Sequence, residues 1–158
     1  MDDRMLVSYC GLYCDLCSAR SKVPEQARAL RDSLRKADIE DHGPSEPNFN
    51  EFWAYLSDLA DPPLDRSCHA ETCGHPWCAI RNCAKERQVE VCADCADFPC
   101  QHIMTLGRSE PTLVTDGRRI QAIGLEAWIV EQKERKRLGF CYSDVRCGKC
   151  IVPLDRQG

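Results

Sequence analysis

Apolar residues recur at helical spacing in three stretches of the chain. In residues 24–39, Ala27, Leu30, Leu34 and Ala37 share one stripe, with Pro24 and Glu25 in the first turn. In residues 49–60, Phe49, Phe52, Trp53, Leu56 and Leu59 repeat the pattern before Asp61-Pro62-Pro63 stops it. In residues 117–138, Ile120, Ile123, Ala127, Trp128 and Val130 mark the buried face, Asp116 reads as the N-cap and Gly139 as the stop. An aromatic stripe at this spacing is core rather than a binding cleft, and the alternating charges of EQKERKR are a solvated face. Residues 5–9 read as a short strand or a first helical turn. DHGPSEPN and RSEPTLVTDG read as loops, and QHIMTLG as one or two helical turns.

The pattern fails between residues 68 and 100, where too few large apolar side chains occur to build a core. Seven cysteines take their place, at 68, 73, 78, 83, 92, 95 and 100. The first four stand five residues apart, a spacing that rotates successive side chains by about 140° on a helix and alternates them across a strand. The segment is therefore expected to be a set of turns, bent by Gly74 and Pro76, with its thiols shared between sites.

Composition narrows the means of holding such a segment together. The 158 residues suffice for one domain, and the net charge of −4 gives no general attraction to nucleic acid or anionic lipid. No apolar run approaches a membrane span, and the acidic start MDDRMLVSYCG does not resemble a signal peptide, so a cytoplasmic location is expected. A reducing cytosol disfavours disulfides, and thirteen cysteines cannot all pair. Bound metal remains. The expected fold is mainly α: one small helical domain over residues 1–158, its helical core at about 24–60 and 117–138. Irregular cysteine-rich, metal-stabilised loops are expected at about 8–18, 68–100 and 141–150.

All thirteen cysteines are candidate metal ligands. Cys10, Cys14 and Cys17 form a C-x3-C-x2-C loop whose fourth ligand is expected from the central block. The radical-SAM enzymes use the same spacing, but this chain is too short for their barrel and has no glycine-rich cosubstrate motif. Cys92 and Cys95 form a C-x2-C turn that Cys100 joins, needing Cys78, Cys83 or His102 as a fourth ligand. Cys141, Cys147 and Cys150 make a third trio, and Cys68 and Cys73 add to the supply; His69 and His75 are spares. Three cysteines from one loop suit a [4Fe–4S] cluster, paired C-x2-C turns suit Zn2+, and a mixed protein satisfies both.

The runs CGLYCDLCSA, CAIRNCAKERQVEVCADCADFPC and RRIQAIGLEAWIVEQKERKRLGFCYSDVRC resemble the DUF3795 family of bacterial and archaeal cysteine-rich proteins, from Ser8 to Cys150. Its C-x-I-R-x-C-A and F-P-C elements stand here at 78–84 and 98–100. The family commonly has C-x-G-C where this chain has CHAETC, and a basic-Gly turn where it has Arg87-Gln88. The resemblance implies metal binding in an anaerobic setting, without naming a reaction.

Three functional classes follow: an iron–sulfur protein for electron transfer or redox support with a redox or other protein partner, a zinc-held interaction module, and a metalloenzyme with an open site at Cys10, Cys14 and Cys17 near Tyr13 and Asp15. No phosphate loop, nucleophile elbow or zinc-protease helix is present. Cys92-Ala-Asp-Cys95 lacks the strand and helix alternation of a thioredoxin-like motif. His42 lies in a polar loop.

Overall fold

A computed structural model describes residues 2–63, 67–72 and 76–146, with the backbone alone at Arg108 and Arg146. The chain forms two compact units, Ser18–Leu64, and Met1–Cys17 with Asp65–Gly158. The two helical stretches expected to share a core fall in different units. The described residues are mainly helical, and the one β feature among them is an isolated antiparallel bridge between Val7 and Tyr13.

The Ser18–Leu64 unit is a helical hairpin. Helix α1 (Lys22–Lys36) and helix α3 (Phe49–Ala60) pack through Ala27, Leu56 and Ala60, with Leu34, Trp53 and Leu59 at the margin. A short helix α2 (Ile39–His42) lies between them. Asp38 and Asn48 take left-handed conformations at the bends, a region their short polar side chains tolerate. Arg28 donates to the Ala60 carbonyl at 2.6 Å, which satisfies one of the orphan acceptors at the end of α3. The expected α1 stripe is only partly buried: Leu30 and Ala37 are exposed, as is Phe52 on α3.

In the other unit the cysteine-rich segment is not all turns. Helix α4 (Ala79–Glu86) and helix α5 (Gln101–Met104) lie within or just after it, and Cys92–Asp94 is a short 3-10 turn. Helix α4 forms because Ile80 and Ala84, four residues apart, bury one face against Ile103 and Leu113.

The stretch expected as one helix over 117–138 is two, α6 (Glu110–Ile123) and α7 (Leu125–Arg137). Gly124 at φ 82°, ψ 158° breaks them, a conformation that side-chain-bearing residues avoid. The segment expected as the loop RSEPTLVTDG supplies the first half of α6, with Pro111 at its start, where a missing N–H costs nothing. Asp116 is therefore inside the helix and buried rather than an N-cap. Ala127 and Val130, expected on the buried face, are exposed, and Ile129 is buried beside Trp128.

Helices α6 and α7 fold back as a hairpin joined by Arg119–Glu131 and by Arg135–Asp116 at 3.2 Å. Around it Leu6, Val7, Tyr13, Leu16, Val91 and Tyr142 complete the main core. Tyr142 belongs to helix α8 (Tyr142–Arg146). A buried polar chain runs through this packing. The Tyr13 N–H donates to the Tyr142 hydroxyl at 3.0 Å, and that hydroxyl donates to Asp116 at 3.2 Å.

Candidate metal centre

The backbone of the Cys92 turn is tied down from two sides. The Cys92 N–H donates to the Tyr9 carbonyl at 2.7 Å, and the Gln121 side chain on α6 donates to the Ala93 carbonyl at 2.8 Å. Within the turn, the Cys95 N–H closes onto the Cys92 carbonyl at 3.0 Å, and the Phe98 N–H onto Cys95 at 3.1 Å. The Phe98 ring lies so close to α6 that a Cβ at Gly117 would stand 2.2 Å from it, which is why the helix carries glycine there.

These restraints set Cys83, Cys92, Cys95 and Cys100 around one cavity of about 160 Å3, with Ala84, Val89 and Phe98 in its apolar lining. Arg87 and His102 also line it. Helix geometry explains why Cys83 joins this group rather than Cys78. The two stand five residues apart, so they differ by about 140° around the helix. Cys78 is the N-cap of α4 and lies beside Cys10, whereas Cys83 faces the cavity.

The electrostatics of the group are those of crowded thiols. Burial pushes the Cys92 thiol up to about 12, and neighbouring Cys10, Cys100, Cys83 and Cys95 reinforce it, since each thiolate would repel the others. Burial also raises Cys10; Ser8 and Leu12 oppose this by hydrogen bonding, and Cys68 and Cys78 add to it. Such a set ionises together only when a cation shares the space. The donors are all soft sulfur, the chemistry preferred by iron–sulfur clusters and zinc.

Of the N-terminal trio, Cys10 has the central-block thiols Cys68 and Cys78 near it. Cys10 packs with Cys78, Cys92 and Cys100 in the core around α4, whereas Cys14 belongs to the core around Trp128. Cys17 is partly buried just beyond a 3-10 turn, Cys14–Leu16. The neighbours considered for an open site are engaged elsewhere: Tyr13 is buried edge-on to Trp128, and Asp15 pairs with Lys136 at 2.6 Å. Cys141 is buried and accepts a hydrogen bond from the Ser143 hydroxyl at 3.2 Å. His69 donates through Nε2 to the Val7 carbonyl at 2.8 Å, which occupies that nitrogen. Cys73, His75, Cys147 and Cys150 lie outside the described residues.

Among the described residues, no three His, Cys, Asp or Glu side chains converge tightly enough to hold a single metal ion. Zinc bound to sulfur at about 2.3 Å would require such convergence on a point. The four cavity thiols instead surround a volume.

Sequence reasoning missed Arg87. Its guanidinium donates to the Cys95 sulfur at 3.4 Å and to Asp97 at 2.5 Å. The available signal was its position one helical turn after Cys83, on the same face of α4.

A family model described as a protein of unknown function (DUF3795) matches residues 6–105. The match contains the cavity cysteines and ends before α6, so the run RRIQAIGLEAWIVEQKERKRLGFCYSDVRC lies beyond it. No curated protein and no solved structure matches.

Proposed function

The chain belongs to the DUF3795 family, and we propose that this member is a metal-binding protein that carries a [4Fe–4S] cluster on Cys83, Cys92, Cys95 and Cys100 and serves electron transfer or redox support. The observation that carries this reading is the cavity of about 160 Å3 with four cysteines around it. A polynuclear cluster keeps its four thiolate ligands further apart than one ion does, which matches thiols that ring a volume better than thiols that meet at a point. Bound there, the cluster would supply reversible one-electron chemistry. The protein's own part is to hold four sulfurs at fixed positions, to bury one side against Phe98 and Val89, and to leave Arg87 and His102 at the exposed rim.

The anaerobic setting implied by the family resemblance agrees with this reading. A redox protein partner follows from it, because a one-electron carrier must exchange its electron with another molecule.

The test is elemental analysis of the full chain purified without oxygen. We expect about four iron and four sulfide per chain for each cluster held, with a visible chromophore that bleaches on reduction. Cys95→Ala should remove one whole cluster's iron and sulfide together. Zinc without sulfide would replace this reading with a structural zinc module, and full iron retention in the variant would remove Cys95 from the ligand set.

A further inference from the structure

Arg87 stands where the second half of the cavity wall begins. It is the C-cap of α4, with its N–H on the Cys83 carbonyl at 3.0 Å, and Gln88 then turns the chain through a left-handed conformation toward Val89. The side chain reaches back across the rim to the other ligand loop, where it divides its donors between the Cys95 sulfur and the Asp97 carboxylate. Asp97 follows Cys95 by two residues, so the guanidinium bridges α4, which carries Cys83, to the loop that carries Cys95.

A surface ion pair is the simplest account of Arg87 and Asp97, whose side chains are 50% and 60% exposed. Pairs of this kind contribute little to stability, about 0–1 kcal/mol. That account leaves the sulfur contact without a reason. The guanidinium carries its charge at any working pH, and Asp97 and the Cys95 sulfur together fix its direction. A fixed cationic N–H beside a ligand sulfur is a known means of tuning a metal group from outside its ligand set.

We propose that Arg87 is the positioning residue of this centre: held by Asp97, it donates an N–H to the Cys95 sulfur and so raises the reduction potential of the cluster. The inference rests on the iron–sulfur reading above. One added electron increases negative charge on the cluster and its thiolate sulfurs, and an N–H donor stabilises the more negative state. Loss of the donor therefore makes reduction harder. Arginine is suited to the task because its planar fork serves a sulfur and a carboxylate at once, which a lysine ammonium does less well.

The experiment uses the full chain purified without oxygen, as wild type, Arg87→Gln, Arg87→Lys and Asp97→Glu. Iron and sulfide are counted first, and each loaded protein is then titrated with dithionite in the presence of mediators. At a fixed potential, we expect the oxidised-to-reduced ratio of Arg87→Gln to rise about threefold, or about 28 mV at 59 mV per tenfold for one electron. Asp97→Glu, which keeps the charge and moves the anchor, should shift in the same direction by less, and Arg87→Lys should lie between Arg87→Gln and wild type.

Full loading with an unchanged potential in Arg87→Gln would overturn the inference and leave a surface ion pair. Should Arg87→Gln fail to load, Asp97→Glu and Arg87→Lys decide, because both keep every charge: a shift to lower potential in either supports the role, and no shift in both removes it. Wild type without iron and sulfide would instead remove the cluster reading itself, and the inference with it.

Discussion

Gln88 holds φ at 55° in the turn that follows α4, and its side chain is exposed. A side chain at a left-handed position costs about 1–2 kcal/mol, partly offset by the greater freedom a glycine would have in the unfolded chain. We expect Gln88→Gly to stabilise the protein by about 0.5–1 kcal/mol, read as a higher urea midpoint with an unchanged slope; a lower midpoint would mean that the glutamine makes a contact worth more than its strain. The sequence departs here from the basic-Gly turn that the resemblance implies, a departure legible in Arg87-Gln88 alone. Its conformational consequence was not visible. The five-residue cysteine spacing likewise said that Cys78 and Cys83 must face different ways, without saying which one faces Cys92. That choice depends on Ile80 and Ala84 anchoring α4 against Ile103 and Leu113, contacts between residues far apart in sequence.

The apolar spacing of α6 and α7 continues across Gly124, so the sequence predicts one helix there, and a lone glycine inside a helical pattern is a weak stop signal. Packing decides the matter, since the fold-back lets Asp116 meet both Arg135 and Tyr142. Asp116 is 1% exposed, and Asp116→Ala would leave the Arg135 guanidinium and the Tyr142 hydroxyl without their shared acceptor. We expect a loss of about 3 kcal/mol, measured by urea unfolding. A loss below about 1 kcal/mol would show that water replaces the carboxylate.

The pH dependence of this element has a definite sign. Burial, opposed by the Arg135 charge and by hydrogen bonds from Tyr142 and Arg135, raises the Asp116 carboxyl above its usual range. The folded state then takes up this proton more readily than the unfolded state, so the group's contribution to stability improves as pH falls through the raised value and is complete below the unfolded value, about 3.9. Wild type should therefore gain on Asp116→Asn in unfolding free energy between pH 7 and pH 4. Glu131, lowered chiefly by its hydrogen bond from Arg119, acts in the opposite sense: its stabilisation is present above the unfolded carboxyl value and is lost as pH falls through the lowered one. It is common to both proteins and cancels in the comparison. A difference that is flat or falls toward acid would contradict the assignment at Asp116.

At the scale of the whole molecule, the two units differ in what holds them. The hairpin of α1 and α3 owes its packing to Ala27, Leu56 and Ala60 with the ring of Trp53, and none of the thirteen cysteines lies between residues 18 and 64. The cysteine unit has its large apolar core around Trp128, but the stretch from Cys78 to Cys100 contributes few bulky side chains to it. That stretch is tied in at Cys92 and Ala93 by single hydrogen bonds to Tyr9 and Gln121. If metal binding supplies the missing cohesion, its loss should be felt locally, because binding free energy at such a site is folding free energy for the loops that form it. We expect removal of the metal to lower amide hydrogen-exchange protection in α4 and across residues 92–104 by at least tenfold. Amides of α1 and α3 should keep their rates. The α6 and α7 hairpin, with its own core and the Asp116 pairing, should change less than the loops. A uniform loss of protection would instead mean that the metal stabilises the entire chain as one cooperative unit. No change in α4 would mean that Ile80, Ala84 and Ile103 suffice to hold the ligand loops in place, and that the cavity is formed before any metal arrives.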